Sequence, residues 1–350
     1  MSVSDQLPRY DRARSYQWNY QNAPEPIDGP VVRMPGPWQF CGQPVDSPLG
    51  IAAGPLLNGK WCLYYASLGF DVLTYKTVRS CERACYELPN LQPVHTGQLA
   101  GGEAEVPSSD QMAGSWAVSF GMPSMSPGVW RRDVEQTRSQ LAKGKLLSVS
   151  TVATVQEGWT LTDLADDYAT CARWAVQSGA DAVETNFSCP NVATCDGQLY
   201  QNPADSKRVA ERVREAIGDT PYILKIGHFL SLESAEAFLD AVGQVVDGLA
   251  MTNSIATRVR GGGKELMFTG QHRGICGDAI RDASTSQVRC FQRWILEREW
   301  PLQLIGVGGI STAQQVQNYL DAGAHACHLA TSPMVNPGIG FEIKNELNSQ

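Results

Sequence analysis

The chain has 350 residues, with 28 Lys and Arg against 36 Asp and Glu, for a formal net charge of −8. That balance excludes a general nucleic-acid surface, which needs a basic excess to neutralise phosphates. Apolar residues make up 43 % and charged residues 18 %, with 33 Gly and 20 Pro, the profile of a loop-rich α/β protein rather than a disordered or coiled-coil one.

Ten cysteines in a chain this long do not form the dense framework of a small secreted domain. The opening residues, Met1 to Tyr20, lack the apolar core of a signal peptide. No run of about 18 apolar residues occurs, so no membrane span is expected. The expectation is a cytoplasmic protein with reduced thiols, bound to neither membrane nor nucleic acid.

Residues 1–45 are rich in Pro, Gly, Tyr and Trp and show neither helical nor strand periodicity. They read as an N-terminal arm packed on the surface, with Trp18, Tyr20 and Trp38 as its anchors. Residues 46–350 read as one domain. Eight strand-length apolar runs follow in order: Leu49–Ala53, Val72–Tyr75, Leu146–Thr151, Ala182–Asn186, Tyr222–Ile226, Gly248–Thr252, Leu302–Val307 and Ala326–Ala330. Amphipathic segments such as Thr160–Ser178 and Ala204–Ile217 lie between them, the pattern of parallel βα units. Ser311 reads as the N-cap of a helix that Gly323 ends. Eight alternations suit a closed (β/α)8 TIM barrel, with an open doubly wound sheet as the rival. Two connections, roughly 77–130 and 254–285, are too long for simple turns. In barrels such long inserted loops build and cover the active site.

Chemistry concentrates at the ends of these runs. In Asp181-Ala-Val-Glu-Thr-Asn-Phe-Ser-Cys-Pro-Asn191 a strand ends on Asn186 and a cysteine follows three residues later. Asn186 and Asn191 flank it, and amides both donate and accept, so a pair can read an imide or carboxylate edge. Cys189 is a nucleophile or base if its thiolate is accessible, or else a packing residue, as most single cysteines are. In Leu304-Ile-Gly-Val-Gly-Gly-Ile310 a strand runs into glycines ahead of a helix, and Thr331 and Ser332 end the neighbouring run. Glycine backbone and a helix N-terminus suit a phosphate, which barrels often bind after strands seven and eight. Lys76 and Lys225 sit at or in apolar strands, where lysine needs a partner or ligand. Cys81 and Cys85, one helical turn apart, lack the second close pair that a zinc or iron–sulfur site requires and read as buried packing. No metal is expected.

Together these segments resemble the dihydroorotate dehydrogenase family, and more loosely the flavin domain of dihydropyrimidine dehydrogenases, from about Pro48 to Pro337. Asn186-Phe-Ser-Cys-Pro-Asn191 is the most specific match. Leu49-Gly-Ile-Ala-Ala-Gly54, Tyr75-Lys-Thr77, Thr252-Asn-Ser-Ile255, Gly306-Val-Gly-Gly-Ile310 and Ala330-Thr331 resemble the family's other site segments. The resemblance implies FMN as cofactor and a dihydropyrimidine-like substrate. Cys189 would remove a proton from the saturated ring carbon while a hydride passes from its neighbour to FMN. It implies that Asn186, Asn191, Asn253 and Ser254 hold the substrate. Ala53, Gly54, Lys76, Thr77 and Lys225 would lie along the flavin ring. Gly274, Gly277, Gly308, Gly309, Thr331 and Ser332 would hold its phosphate. A cysteine base belongs to the family's soluble branch, whose members form homodimers, some with a separate electron-transfer subunit. One departure stands out: Val118 occupies the position of the family's asparagine in the loop over the substrate, which removes a hydrogen bond there.

Two other readings differ in class. A tRNA dihydrouridine synthase-like enzyme would carry a basic helical domain after the barrel, whereas about a dozen residues follow Pro337 and the chain is acidic. A non-catalytic flavin-binding subunit would have no use for Cys189 together with both asparagines and both lysines.

Overall fold

The computed structural model describes residues 7–28, 32–188 and 195–349. Eight parallel strands close into a barrel in chain order: β1 Leu49–Ile51, β2 Val72–Val78, β3 Leu146–Thr151, β4 Ala182–Asn186, β5 Tyr222–Lys225, β6 Gly248–Met251, β7 Gln303–Val307 and β8 Ala326–Leu329. β8 returns to β1 through Cys327↔Leu49, His328↔Gly50 and Leu329↔Ile51, which excludes the open sheet. These strands read as near-continuous apolar runs because helices cover their outer faces and side chains fill the interior. The helices are cut where the sequence supplies caps. Thr160 and Asp163 form a reciprocal capping box at the start of Leu161–Gln177. Asn202 caps Pro203–Ile217, and its Oδ1 accepts from the Asp205 N–H. The helix after β7 is capped by Thr312 rather than Ser311, because the Thr312 hydroxyl is the group that reaches the Gln315 N–H.

Partners across a parallel ladder share a face, so the registers identify the inward residues. At the N-terminal end of the barrel, Val72, Leu146, Ala182, Ile223, Ile305 and Ala326 pack with Phe40 and Val45 into one apolar cluster. Phe40 belongs to a small hairpin, Gln39–Phe40 paired with Gln43–Pro44, which plugs that end. Above this plug the interior turns polar, with Thr74, Glu184, Lys225 and His328 all buried.

The arm is more structured than its composition suggests. Tyr16–Gln21 is a short helix capped by Ser15. Of the expected anchors, Tyr20 and Trp38 pack partly buried against the core while Trp18 is exposed; Tyr10 and Tyr16 join them, edge-on against Phe120 at 5.9 and 6.0 Å.

The two long connections meet in one five-stranded sheet. Its order is Leu91–Pro93, Ser115–Val118, Arg273–Gly277, Ile255–Arg260 and Glu105–Pro107. Strands from the insertion after β2 therefore flank the two strands from the insertion after β6 on both sides, and the sheet caps the C-terminal mouth of the barrel. Cys81 and Cys85 lie in an irregular stretch of the first insertion. Cys81 is exposed and Cys85 half-buried, so neither is the core packing residue expected from a helical spacing.

Far from that mouth, Asp71 anchors the last helix, Ile339–Asn348, to the barrel. Its carboxylate accepts from Lys344 Nζ and Lys145 Nζ, each at 2.6 Å, and from the Ser47 hydroxyl. Asp71 and Lys344 are both 1 % exposed.

Candidate active site

A cavity of about 520 Å³ lies between the C-terminal ends of the barrel strands and the cap sheet. Gly54, Lys225, Thr252, Val307 and His328 form its floor, and Leu91, Trp116, Val118 and Phe120 its roof. At one end the backbone closes in from three sides: Gly277, then Gly308 and Gly309 after β7, then Thr331 and Ser332 after β8. Two of these positions need glycine. Gly277 has φ +95° and a Cβ there would sit 2.1 Å from the Gly114 carbonyl oxygen. Gly309 has φ +66°, and its Cβ would meet Arg281 Cβ at 2.6 Å and the Gly277 carbonyl oxygen at 3.1 Å. The result is a pocket walled by peptide backbone, open to a group that accepts N–H donors. Strand β8 stops at Leu329, so Thr331 and Ser332 open a short helix, Thr331–Val335, instead of continuing the strand. The Ser332 hydroxyl donates to the Ile310 carbonyl at 2.5 Å, tying this end to the turn after β7.

The structure thus brings together, around one cavity, Gly54, Lys225, Asn253, Gly277, Gly308, Gly309, Thr331 and Ser332. Cys189 and Asn191 lie outside the described residues. Other expected residues are not part of this lining. Thr77 shares a hydrogen bond of 3.0 Å with Ser150, and Gly274 lies within the cap sheet opposite Val118. Ala53 and Ser254 are buried. Lys76 is buried with its Nζ 4.8 Å from the centre of the Phe120 ring. Asn186 and Asn253 are both occupied with the chain ahead of Cys189. The Asn186 carbonyl oxygen Oδ1 accepts from the Ser188 N–H at 3.0 Å, and Asn253 Nδ2 donates to the Ser188 carbonyl. Two amides therefore clamp the peptide that leads into residue 189.

Sequence reasoning placed Val118 over the site but missed the rest of the roof and three polar residues. Cys276 lines the cavity and donates to the Asn253 carbonyl at 3.6 Å; burial pushes its thiol up to about 11, partly offset by Lys225. His328 lines the floor, where burial and then the Lys225 charge push it down to about 3, so its imidazole is neutral. Glu184, one residue pair inward of Asn186, is held above its ordinary 4.5 by burial, with Lys225 and Ser150 pulling the other way. Alternation along the strands was the available signal for the last two: Ala182, Glu184 and Asn186 face in, as do Ala326, His328 and Ala330.

The Glu184 shift has a consequence for stability. The folded state binds this proton more tightly than the unfolded state, so the stabilisation is complete below pH 4.5 and is lost as pH rises through the folded value. Glu184→Gln is expected to flatten the decline in unfolding free energy above pH 4.5. Urea titrations at a series of pH values measure it, and an unchanged slope would mean that the carboxyl does not titrate this way.

Among the described residues, no helix is long and apolar enough to cross a membrane, and no group of three or more His, Cys, Asp or Glu side chains is arranged to hold a metal.

Comparison with known proteins agrees with this architecture. The family model described as dihydroorotate dehydrogenase matches residues 38–350. A dihydroorotate dehydrogenase of Dictyostelium discoideum is 31 % identical, with 97 % of each chain covered. The catalytic subunit of dihydroorotate dehydrogenase B (NAD(+)) of Oceanobacillus iheyensis is 28 % identical over 48 % of this chain, which spans about half of that relative's length. The crystal structure of an Eimeria tenella enzyme of the same name, in complex with ferulenol, has the same fold, with a TM-score of 0.72 at 18 % identity, covering 95 % of this chain and 88 % of that one. The dihydrouridine-synthase and non-catalytic readings have no comparable support. The chain belongs to the dihydroorotate dehydrogenase family, an oxidoreductase family acting on CH–CH bonds of a small-molecule substrate.

Proposed function

We propose that this chain binds FMN in the capped cavity and oxidises dihydroorotate to orotate, with Cys189 as the base. The observation that carries the reading is the joining of two unlike ends in one cavity. The glycine-walled end at Gly277, Gly308, Gly309 and Thr331 suits a phosphate, which backbone N–H groups and hydroxyls hold well. The barrel end offers Lys225 and Asn253 to a flat polar heterocycle. Such a donor set fits FMN, and bound there FMN supplies the two-electron acceptor.

The chain's own residues do the rest. Asn186 and Asn253 hold the backbone of Ser188, through its N–H and its carbonyl. In this reading the Cys189 thiolate takes the proton from the carbon beside the substrate's ring carbonyl, and Asn191 binds the ring edge. Lys225 favours negative charge on the floor of the site. Trp116, Val118 and Phe120 exclude water above it, with an apolar contact at Val118 in place of an amide. The same reading includes a homodimer in the cytoplasm, with residues 46–350 as the barrel unit and residues 1–45 as an arm against it. It also includes a separate electron-transfer subunit, in keeping with relatives named as catalytic subunits.

The test is the visible spectrum of the purified protein, followed by anaerobic addition of dihydroorotate. A flavin spectrum that bleaches is expected. A protein that takes up no FMN would sink the cofactor reading, and a flavin that stays oxidised would sink the substrate.

A further inference from the structure

His328 is a buried polar side chain that the reaction as described above does not employ. It is 2 % exposed, and neither Nδ1 nor Nε2 has a hydrogen-bond partner among the described residues. A histidine that only packs a core normally bonds at least one ring nitrogen to a backbone group, since an unmatched buried polar atom is costly. Here the ring borders the cavity instead.

Its seat is well defined. The ring stacks on Phe40 of the plug hairpin, with centroids 5.5 Å apart and planes 15° apart. On the neighbouring strand β1, a Cβ at Gly50 would lie 2.5 Å from His328 Cδ2 and 2.6 Å from Nε2, so glycine leaves the space that the ring fills. Strand β8 stands four places round the eight-stranded ring from β4, so His328 faces Glu184 across the barrel, with Lys225 beside Glu184 on β5. Glu184 Oε1 is likewise unmatched among the described residues. A neutral imidazole offers one N–H donor and one acceptor lone pair. The pyrimidine half of a flavin carries two carbonyls and an imide N–H, which is the complement of such a floor.

We propose that His328 contacts the bound cofactor, donating its ring N–H to a carbonyl of the flavin's pyrimidine half from the wall that faces Glu184. The proposal rests on the cavity being an FMN site. It makes His328 a recognition residue for the cofactor, set in place by Phe40 and Gly50.

The test uses apo protein titrated with FMN and read by flavin fluorescence, comparing wild type, His328→Leu and His328→Gln. Loss of one buried hydrogen bond is expected to weaken FMN binding about tenfold in the leucine variant. Glutamine, which can still donate, is expected to stay within about threefold of wild type on the same reasoning. The infrared carbonyl bands of bound flavin provide a readout that a packing role would not move. They should shift to higher frequency in His328→Leu and hold in His328→Gln. Should the leucine variant fail to fold, wild-type protein labelled with 15N-histidine carries the test, because the His328 ring resonance must move when FMN is added. Equal affinity and unchanged carbonyl bands in the leucine variant, or an unmoved ring resonance, would overturn the proposal while the FMN reading stands. Wild-type protein that binds no FMN would overturn both.

Discussion

Replacing Cys189 by alanine is expected to slow the anaerobic reduction of bound flavin by dihydroorotate about 10²- to 10⁴-fold, the usual contribution of a positioned general base. The hydrogen to be removed sits on a carbon beside a ring carbonyl and is only weakly acidic. Without a base held against it, the proton must leave to whatever water reaches the site, and the aromatic roof keeps water scarce. The clamp on Ser188 sharpens the expectation, because Asn186 and Asn253 fix the peptide just ahead of the cysteine whatever side chain follows. The variant should therefore keep its flavin spectrum and lose only the bleaching. Stopped-flow absorbance measures this. Bleaching at the wild-type rate would remove Cys189 from the mechanism, whereas loss of the flavin itself would point to a structural role.

The second large effect concerns stability. Asp71→Ala is expected to cost about 3–5 kcal/mol of unfolding free energy, the range for breaking a buried ion pair from one side. Lys145, 13 % exposed, can turn toward water, but Lys344 at 1 % exposure cannot and is left as an unmatched buried ammonium. Burial already holds Lys344 below its ordinary 10.5 despite the attraction of Asp71. A lysine with a lowered folded value binds its proton more tightly when unfolded, so stability rises with pH between the folded value and 10.5. The deficit of Asp71→Ala should accordingly shrink as pH is raised toward that limit. Asp71→Leu combined with Lys344→Met removes both charges and is expected to recover most of the loss. Urea unfolding curves decide it, and a deficit under about 1 kcal/mol, the scale of exposed pairs, would mean that the pair is not the anchor it looks to be.

Much of the barrel is legible in the sequence for one physical reason. Parallel strands buried on both faces are apolar throughout, so Leu146–Thr151 and Ala182–Asn186 can be bounded to the residue. The glycines after β7 are equally plain, because a backbone-walled turn excludes side chains. The cap sheet is not legible. Its strands are three to six residues long, two of them end in proline, and Glu105–Pro107 pairs with residues about 150 positions away. Nothing local in such segments announces a partner. His328 and Glu184 escape notice for a different reason. Each occupies an inward position of an apolar run, and only the direction of the side chain, which the ladder registers fix, separates a floor residue from a packing one. Lys76 shows how little a strand end fixes by itself: it is buried with its Nζ near the Tyr16 and Phe120 rings, and Phe120 in turn lines the cavity.

The hairpin that seats Phe40 in the N-terminal end of the barrel has a kinetic meaning. With that end stoppered by Phe40 and Val45, the interior communicates with solvent, as far as the described residues go, through the capped mouth. In the proposed reading, a substrate that reaches the floor therefore comes and goes by the capped side. A small-molecule acceptor would have to wait there until the oxidised product leaves, whereas a partner subunit that draws electrons from the flavin would need no entry, so the plug sets the order of traffic only for an acceptor that must come in.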